Sequence, residues 1–130
     1  MGESVIMKKH LSMLLLSCLC GLAHAEWQSL SKADDGDWYI DRQLVQPSPV
    51  IRVWTLFDHH APVGAFGVLS VKTMHEFDCV QQRMRDINIV VFNDHMARGS
   101  ILRNTYPGTQ LMHPPPGSVF EQLMTQLCKP

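Results

Sequence analysis

The chain has 130 residues and a formal net charge of −1, with 45% hydrophobic, 18% charged and 8% aromatic residues. That composition excludes a disordered, collagen-like or disulfide-dense protein, and the length holds one small domain once residues 1–25 are set aside as an export signal. Downstream of the signal nine basic side chains stand against eleven acidic ones, so there is no positive excess to neutralise phosphates, which argues against nucleic-acid or anionic-membrane binding.

At the amino terminus Lys8, Lys9 and His10 precede an apolar run from Leu11 to Leu22, and Ala23-His24-Ala25 follows before Glu26. A basic stretch, a short apolar run and an A-x-A pattern make a signal peptide cleaved after Ala25, and the run is too short for a permanent span. The expected organisation is a signal over 1–25 and an exported domain over 26–130, with no transmembrane anchor, in the periplasm or at the cell surface. An alternative makes Cys18, behind Leu15-Leu16-Ser17, the acylated first residue of a lipoprotein; the bulky Leu16 argues against that motif. With Cys18 and Cys20 lost, Cys79 and Cys128 remain, the count expected for one disulfide in an oxidising compartment. The alternative is two separate buried thiols.

Residues 26–37 read as a polar lead-in ending in the turn Asp34-Asp35-Gly36-Asp37. Trp38-Tyr39-Ile40-Asp41 is β-prone and opens a first strand continuing towards Val45, closed by Pro47 and Pro49. Val50 to Phe57 is the densest β-former run and reads as a central strand, and Asp58 to Gly64 as a connecting loop. The clearest alternation follows: Leu69, Val71, Thr73, His75, Phe77 and Cys79 share one face, against Ser70, Lys72, Glu76 and Asp78 on a solvated one. Val80 to Phe92 gives one or two more strands, with Met84 giving way to Ile87, Ile89 and Val91. Met96 to Tyr106 gives a weak strand with Gly99 as bend or bulge. After Pro114-Pro115-Pro116 the period changes. Val119, Phe120, Leu123, Met124 and Leu127 recur at helical spacing behind a capping box of Ser118 and Glu121. The fold class is α+β and mainly β: an antiparallel sheet of five to six strands packed by a short C-terminal helix.

No arrangement of residues specifies catalysis. G-x-S-x-G and HExxH are absent, and Glu76 and Asp78, which a glycosidase pair could use, read as a solvated face. His59 and His60, with His95 or His113, are the candidates for a divalent metal or haem iron, against a plainer reading as exposed loop histidines; His75 reads as a satisfied, half-buried residue. Asp34, Asp35 and Asp37 lack the further ligands of a calcium loop. Trp27, Trp38, Trp54, Tyr39 and Tyr106 divide between packing and a recognition surface, and a free sheet edge offers a route to a protein partner or a homodimer.

The order Trp38-Tyr39-Ile40-Asp41, Arg52-Val53-Trp54-Thr55-Leu56, Ser70-Val71-Lys72, Glu76-Phe77-Asp78-Cys79 and Pro116-Gly117-Ser118, leading through a short helix to Cys128, resembles the surface-adhesin protein E family of Gram-negative bacteria over nearly the whole domain. The resemblance implies a sheet packed by the last helix, with Cys79 and Cys128 paired. It further implies a surface module that binds host proteins such as laminin and vitronectin, and haem binding is also associated with the family. The expected function is a non-enzymatic binding module without a cofactor, with a periplasmic haem- or metal-binding protein, or a periplasmic structural or interaction protein, as the alternatives. Two features depart from the family pattern. Founding members are lipid-anchored, whereas this signal favours cleavage after Ala25, and Leu111-Met112-His113 stands where relatives often carry a Trp before the Pro-Gly-Ser turn.

Overall fold

The computed structural model describes residues 26–44 and 49–129. Among these, six strands pair antiparallel in chain order: β1 (Trp27–Lys32), β2 (Gly36–Asp41), β3 (Val50–Val63), β4 (Val68–Asp78), β5 (Arg83–Phe92) and β6 (Ile101–Thr105). One helix, α1 (Val119–Leu127), closes the chain. The mainly-β class, the strand number and the C-terminal helix agree with the sequence. The cleavage site at Ala25 and the alternative at Cys18 lie outside the described residues.

Five boundaries differ, each for a local reason. The polar lead-in contains β1, an edge strand whose register shifts between Ser29 and Ser31; the irregularity hides its alternation, and only Leu30 packs against the core. β2 stops at Asp41, whose carboxylate accepts the Gln43 N–H at 3.1 Å and starts a 3-10 turn over Arg42–Leu44. The expected loop from Asp58 is strand as far as Val63. His59–Pro62 stand opposite the single residue Leu69, a bulge that accommodates the proline. Finally, β5 is one continuous strand that begins after a turn at Val80–Gln82, and β6 begins only at Ile101, because His95–Ala97 form a second 3-10 turn.

The change of phase along β5 has a structural cause. His75 pairs with Asp86 and Met74 with Asn88, which leaves Ile87 unpaired in a bulge. Each residue beyond it therefore changes parity, so that Met84, Ile89 and Val91 all lie on the same face.

That face carries the core. The register sets Ile51, Phe77 and Met84 abreast, and α1 lays Leu123 and Met124 over Ile40, Val53, Phe77 and Met84, with Phe120, Leu127 and Cys128 around them. Burying each such side chain contributes about 1.5–3 kcal/mol. A nine-residue helix is marginal in isolation, so tertiary contacts hold it. Ser118 caps it by accepting the Glu121 N–H at 3.2 Å. The reciprocal half of the expected capping box is replaced, since the Ser118 N–H donates to the Pro115 carbonyl at 3.1 Å. At the other end, Cys128 forms a disulfide with Cys79, just past β4, with Cα atoms 5.3 Å apart.

The opposite face is capped at the opposite end of the strands. Ser70 donates its hydroxyl to the Asp94 carbonyl at 2.6 Å and accepts the Ala97 N–H at 3.0 Å, while Asp58 accepts the Met96 N–H at 2.8 Å. These bonds hold Met96 and Ala97 in the left-handed region, at φ 58° and 57°. Gly36 is required where β2 begins: a Cβ there would lie 2.5 Å from the Asp58 carbonyl oxygen and 2.6 Å from the Phe57 ring.

The disulfide closes a 49-residue separation, for which chain entropy gives about 4 kcal/mol of stabilisation. The double substitution Cys79→Ala/Cys128→Ala is expected to lower the unfolding free energy by up to about that amount, read by denaturant titration, and the native exported protein should show no thiol reactive without prior reduction.

Candidate binding surface

Thr55, His75 and Asp86 form a chain across β3, β4 and β5. The His75 Nδ1–H donates to Asp86 at 2.6 Å, which leaves Nε2 to accept the Thr55 hydroxyl proton at 2.7 Å. The order hydroxyl, imidazole, carboxylate is that of a nucleophilic triad. Here it is sealed: Thr55 and His75 are each 1% exposed, and the Phe120 ring of α1 packs tilted against the imidazole at 5.1 Å. The hydroxyl offers no path for a substrate, so the arrangement satisfies three polar groups under the helix. His75 is satisfied, as the sequence suggested, and more deeply buried.

The other histidines diverge. His59 and His60 lie on β3 and not in a loop. The His59 ring packs against Phe57 at 4.8 Å, whereas His60 turns to the β1–β2 turn, 3.3 Å from the Asp34 carbonyl oxygen and 3.5 Å from the Asp37 carboxylate. His95 donates to Asp58 at 3.2 Å, and His113 to the Gln82 carbonyl at 3.1 Å. Among the described residues no three His, Cys, Asp or Glu side chains come together to hold a metal ion.

Glu76 also departs from expectation. It is buried, not solvated, because Arg52 and Arg85 flank it across the strands, at 3.0 Å and 2.7 Å. A buried carboxylate requires such partners. Asp78 accepts the N–H groups of Val80 and Gln81, both at 3.0 Å, and shapes the β4–β5 turn. Beside this cluster the Lys72 ammonium lies over the Trp54 ring, 4.2 Å from its centre. Burial pushes the Lys72 pKa down, opposed by nearby Asp41. Tyr39 moves the other way: burial raises its pKa, and the charges of Asp37 and Asp58 raise it further. Trp38 packs between Phe57 and Phe120, at 4.7 and 5.3 Å, so of the aromatic candidates Tyr106 is the one that projects freely.

What remains open is the core face beyond the reach of α1. Val63, Phe66, Val68, Val71, Val91, Leu102 and Arg103 line a cavity of about 520 Å³ between the β3–β4 hairpin and edge strand β6. Phe66, at the tip of the hairpin, is 82% exposed, and Ile101 and Tyr106 also project into solvent. This region contains no sequence motif. An aromatic residue between two turn glycines, Gly64 and Gly67, beside the apolar Val63 and Val68, was the available signal.

A family profile described as surface-adhesin protein E matches residues 27–129. The chain belongs to the surface-adhesin protein E family. No curated protein sequence matches it. Among solved structures, crystal form II of Haemophilus influenzae protein E aligns with TM-score 0.60 at 11% identity, covering 81% of this chain and 88% of that one. Protein E from non-typeable H. influenzae aligns with TM-score 0.57 at 9% identity, covering 82% and 78%. At that identity the protein E likeness establishes the fold, which this member builds on its own side chains. No helix among its described residues is long and apolar enough to cross a membrane.

Two predictions concern this adhesin-family sheet. Thr55→Val keeps the shape but leaves His75 Nε2 without its partner, and is expected to cost about 1–3 kcal/mol in urea unfolding, whereas Thr55→Ser is expected to cost less. Because the folded state raises the Tyr39 pKa, it holds that proton more tightly than the unfolded chain, and stability must fall as pH rises from about 10. Tyr39→Phe should therefore lose less stability than the parent between neutral and strongly alkaline pH, as measured by isothermal denaturation.

Proposed function

We propose that the domain beginning at residue 26, exported after cleavage behind Ala25, is a non-enzymatic adhesive module. It is displayed at the outer surface and binds host matrix or serum proteins, with laminin and vitronectin the partners the family resemblance suggests. The observation that carries this reading is the uncovered apolar end of the sheet, where Phe66, Ile101 and Tyr106 project around β6. Large exposed apolar side chains around a sheet edge are the kind of anchor an interaction surface uses. β6 is also a sheet edge, all of whose residues but Thr105 are exposed, and its outer backbone groups are open to a partner's strand. The sealed Thr55–His75–Asp86 chain supports the non-enzymatic part.

The test is retention of the purified domain on immobilised laminin and vitronectin against an unrelated exported protein of similar charge. Retention above that control is expected, and the double substitution Phe66→Ser/Ile101→Ser should weaken it at least about tenfold, as loss of an interface anchor does. Equal retention of control and domain, or protection of the protein from external protease in intact cells, would overturn the reading.

A further inference from the structure

We infer that the groove between the β3–β4 hairpin and β6 is a binding site for the free carboxylate of a single-chain fatty acid, with the acyl tail along Val63, Val68, Val71, Val91 and Leu102, and the carboxylate on Arg103. The volume, about 520 Å³, is within the range of small-molecule sites, which run from roughly 300 to 1,000 Å³. Its lining is almost featureless chemically. Six of the seven side chains are apolar, five of them aliphatic, so a sugar, nucleotide or peptide would find too few hydrogen-bonding groups to offset the water it gives up. A flexible hydrocarbon chain asks for none.

Arg103 sets the sign of the head group. Among the described residues it forms no ion pair or side-chain hydrogen bond, whereas Arg52 and Arg85 are both committed to Glu76. It lies opposite Val91 in the β5–β6 register and lines the groove itself, which puts a planar double donor beside an apolar trough. A guanidinium with free N–H groups matches a carboxylate in two parallel hydrogen bonds. Phe66, carried on the Gly64–Gly67 turn, stands at the mouth, where its ring can cover the tail. The groove shares Phe66 with the adhesive patch proposed above, but the two are tested separately: fatty-acid binding is measured on the isolated domain with no host protein present.

The experiment is calorimetric titration of the domain with dodecanoate below its micellar concentration, alongside dodecyltrimethylammonium, which carries the same chain and the opposite charge. Saturable one-to-one binding of dodecanoate is expected, with Kd on the order of 100 µM or tighter, the strength of one acyl chain's reversible apolar binding. Arg103→Gln should weaken dodecanoate about tenfold and should not weaken binding of the cation. Leu102→Glu, which puts a carboxylate in the trough at a partly exposed edge position, should abolish dodecanoate binding while leaving the circular dichroism spectrum unaltered. Absence of saturation, equal affinity for both amphiphiles, or an Arg103→Gln variant that binds dodecanoate normally would overturn the inference. So would partition onto phosphatidylglycerol vesicles without binding of monomeric dodecanoate.

Discussion

The seating of α1 on half of one sheet face is the contact on which the rest of this fold depends. A sheet of six strands presents two faces, and among the described residues one helix is there to cover them. Leu123 and Met124 close the half that holds Ile40, Val53, Phe77 and Met84. The cap from Ser118 and the bond from Cys128 to Cys79 fix the two ends of a helix too short to persist by itself. Among the described residues no helix lies over the remainder of that face, so its valines and Phe66 border an open groove beside an edge strand. The open surface of the domain is thus a consequence of where α1 sits.

Polar groups are placed inside this small sheet under strict terms. His75 is buried with both ring nitrogens engaged, and Glu76, the next residue, faces the other way into two guanidinium groups. Successive residues of one strand therefore satisfy polar requirements on opposite faces. A slip of β4 by one residue would exchange them, leaving an imidazole and a carboxylate without partners, so the pair pins the register as firmly as the apolar alternation does. The same geometry that resembles a hydrolytic triad is closed by Phe120, which separates a structural hydrogen-bond chain from a catalytic one by access and not by composition.

Much of this was legible in the sequence where a single physical period dominated. The alternation from Leu69 to Cys79 located β4 and the helical spacing from Val119 to Leu127 located α1, whereas the parity change between Met84 and Ile87 left one or two strands open until the bulge at Ile87 resolved it. Legibility failed where a partner strand or a turn decided the outcome. β1 carries a register shift that erases its alternation, and β3 runs through Pro62 because a bulge absorbs it. Glu76 reads as solvated until Arg52 and Arg85 are brought beside it by pairing. The histidines illustrate the same limit for the site: His59 and His60 are adjacent in sequence, yet as neighbours in a strand they turn to different surroundings, one to Phe57 and the other to the β1–β2 turn. The open groove, built from β3, β4, β5 and β6 together, has no local signature beyond Phe66 between its glycines.

Membership of the surface-adhesin protein E family supplies the fold and the coarse role, and the division of the sheet into a covered half and an open half gives that role a physical location. In this fold α1 is a separately tethered cover and not a uniformly cooperative part of the sheet. Hydrogen exchange of the oxidised domain against the reduced and alkylated domain tests this most directly. Reduction is expected to remove protection from amides of Val119–Leu127 and to lower it at Val53, Phe77 and Met84, with Val71 and Val91 far less affected. Unchanged protection across the helix after reduction, or an equal loss at both ends of the sheet, would contradict it.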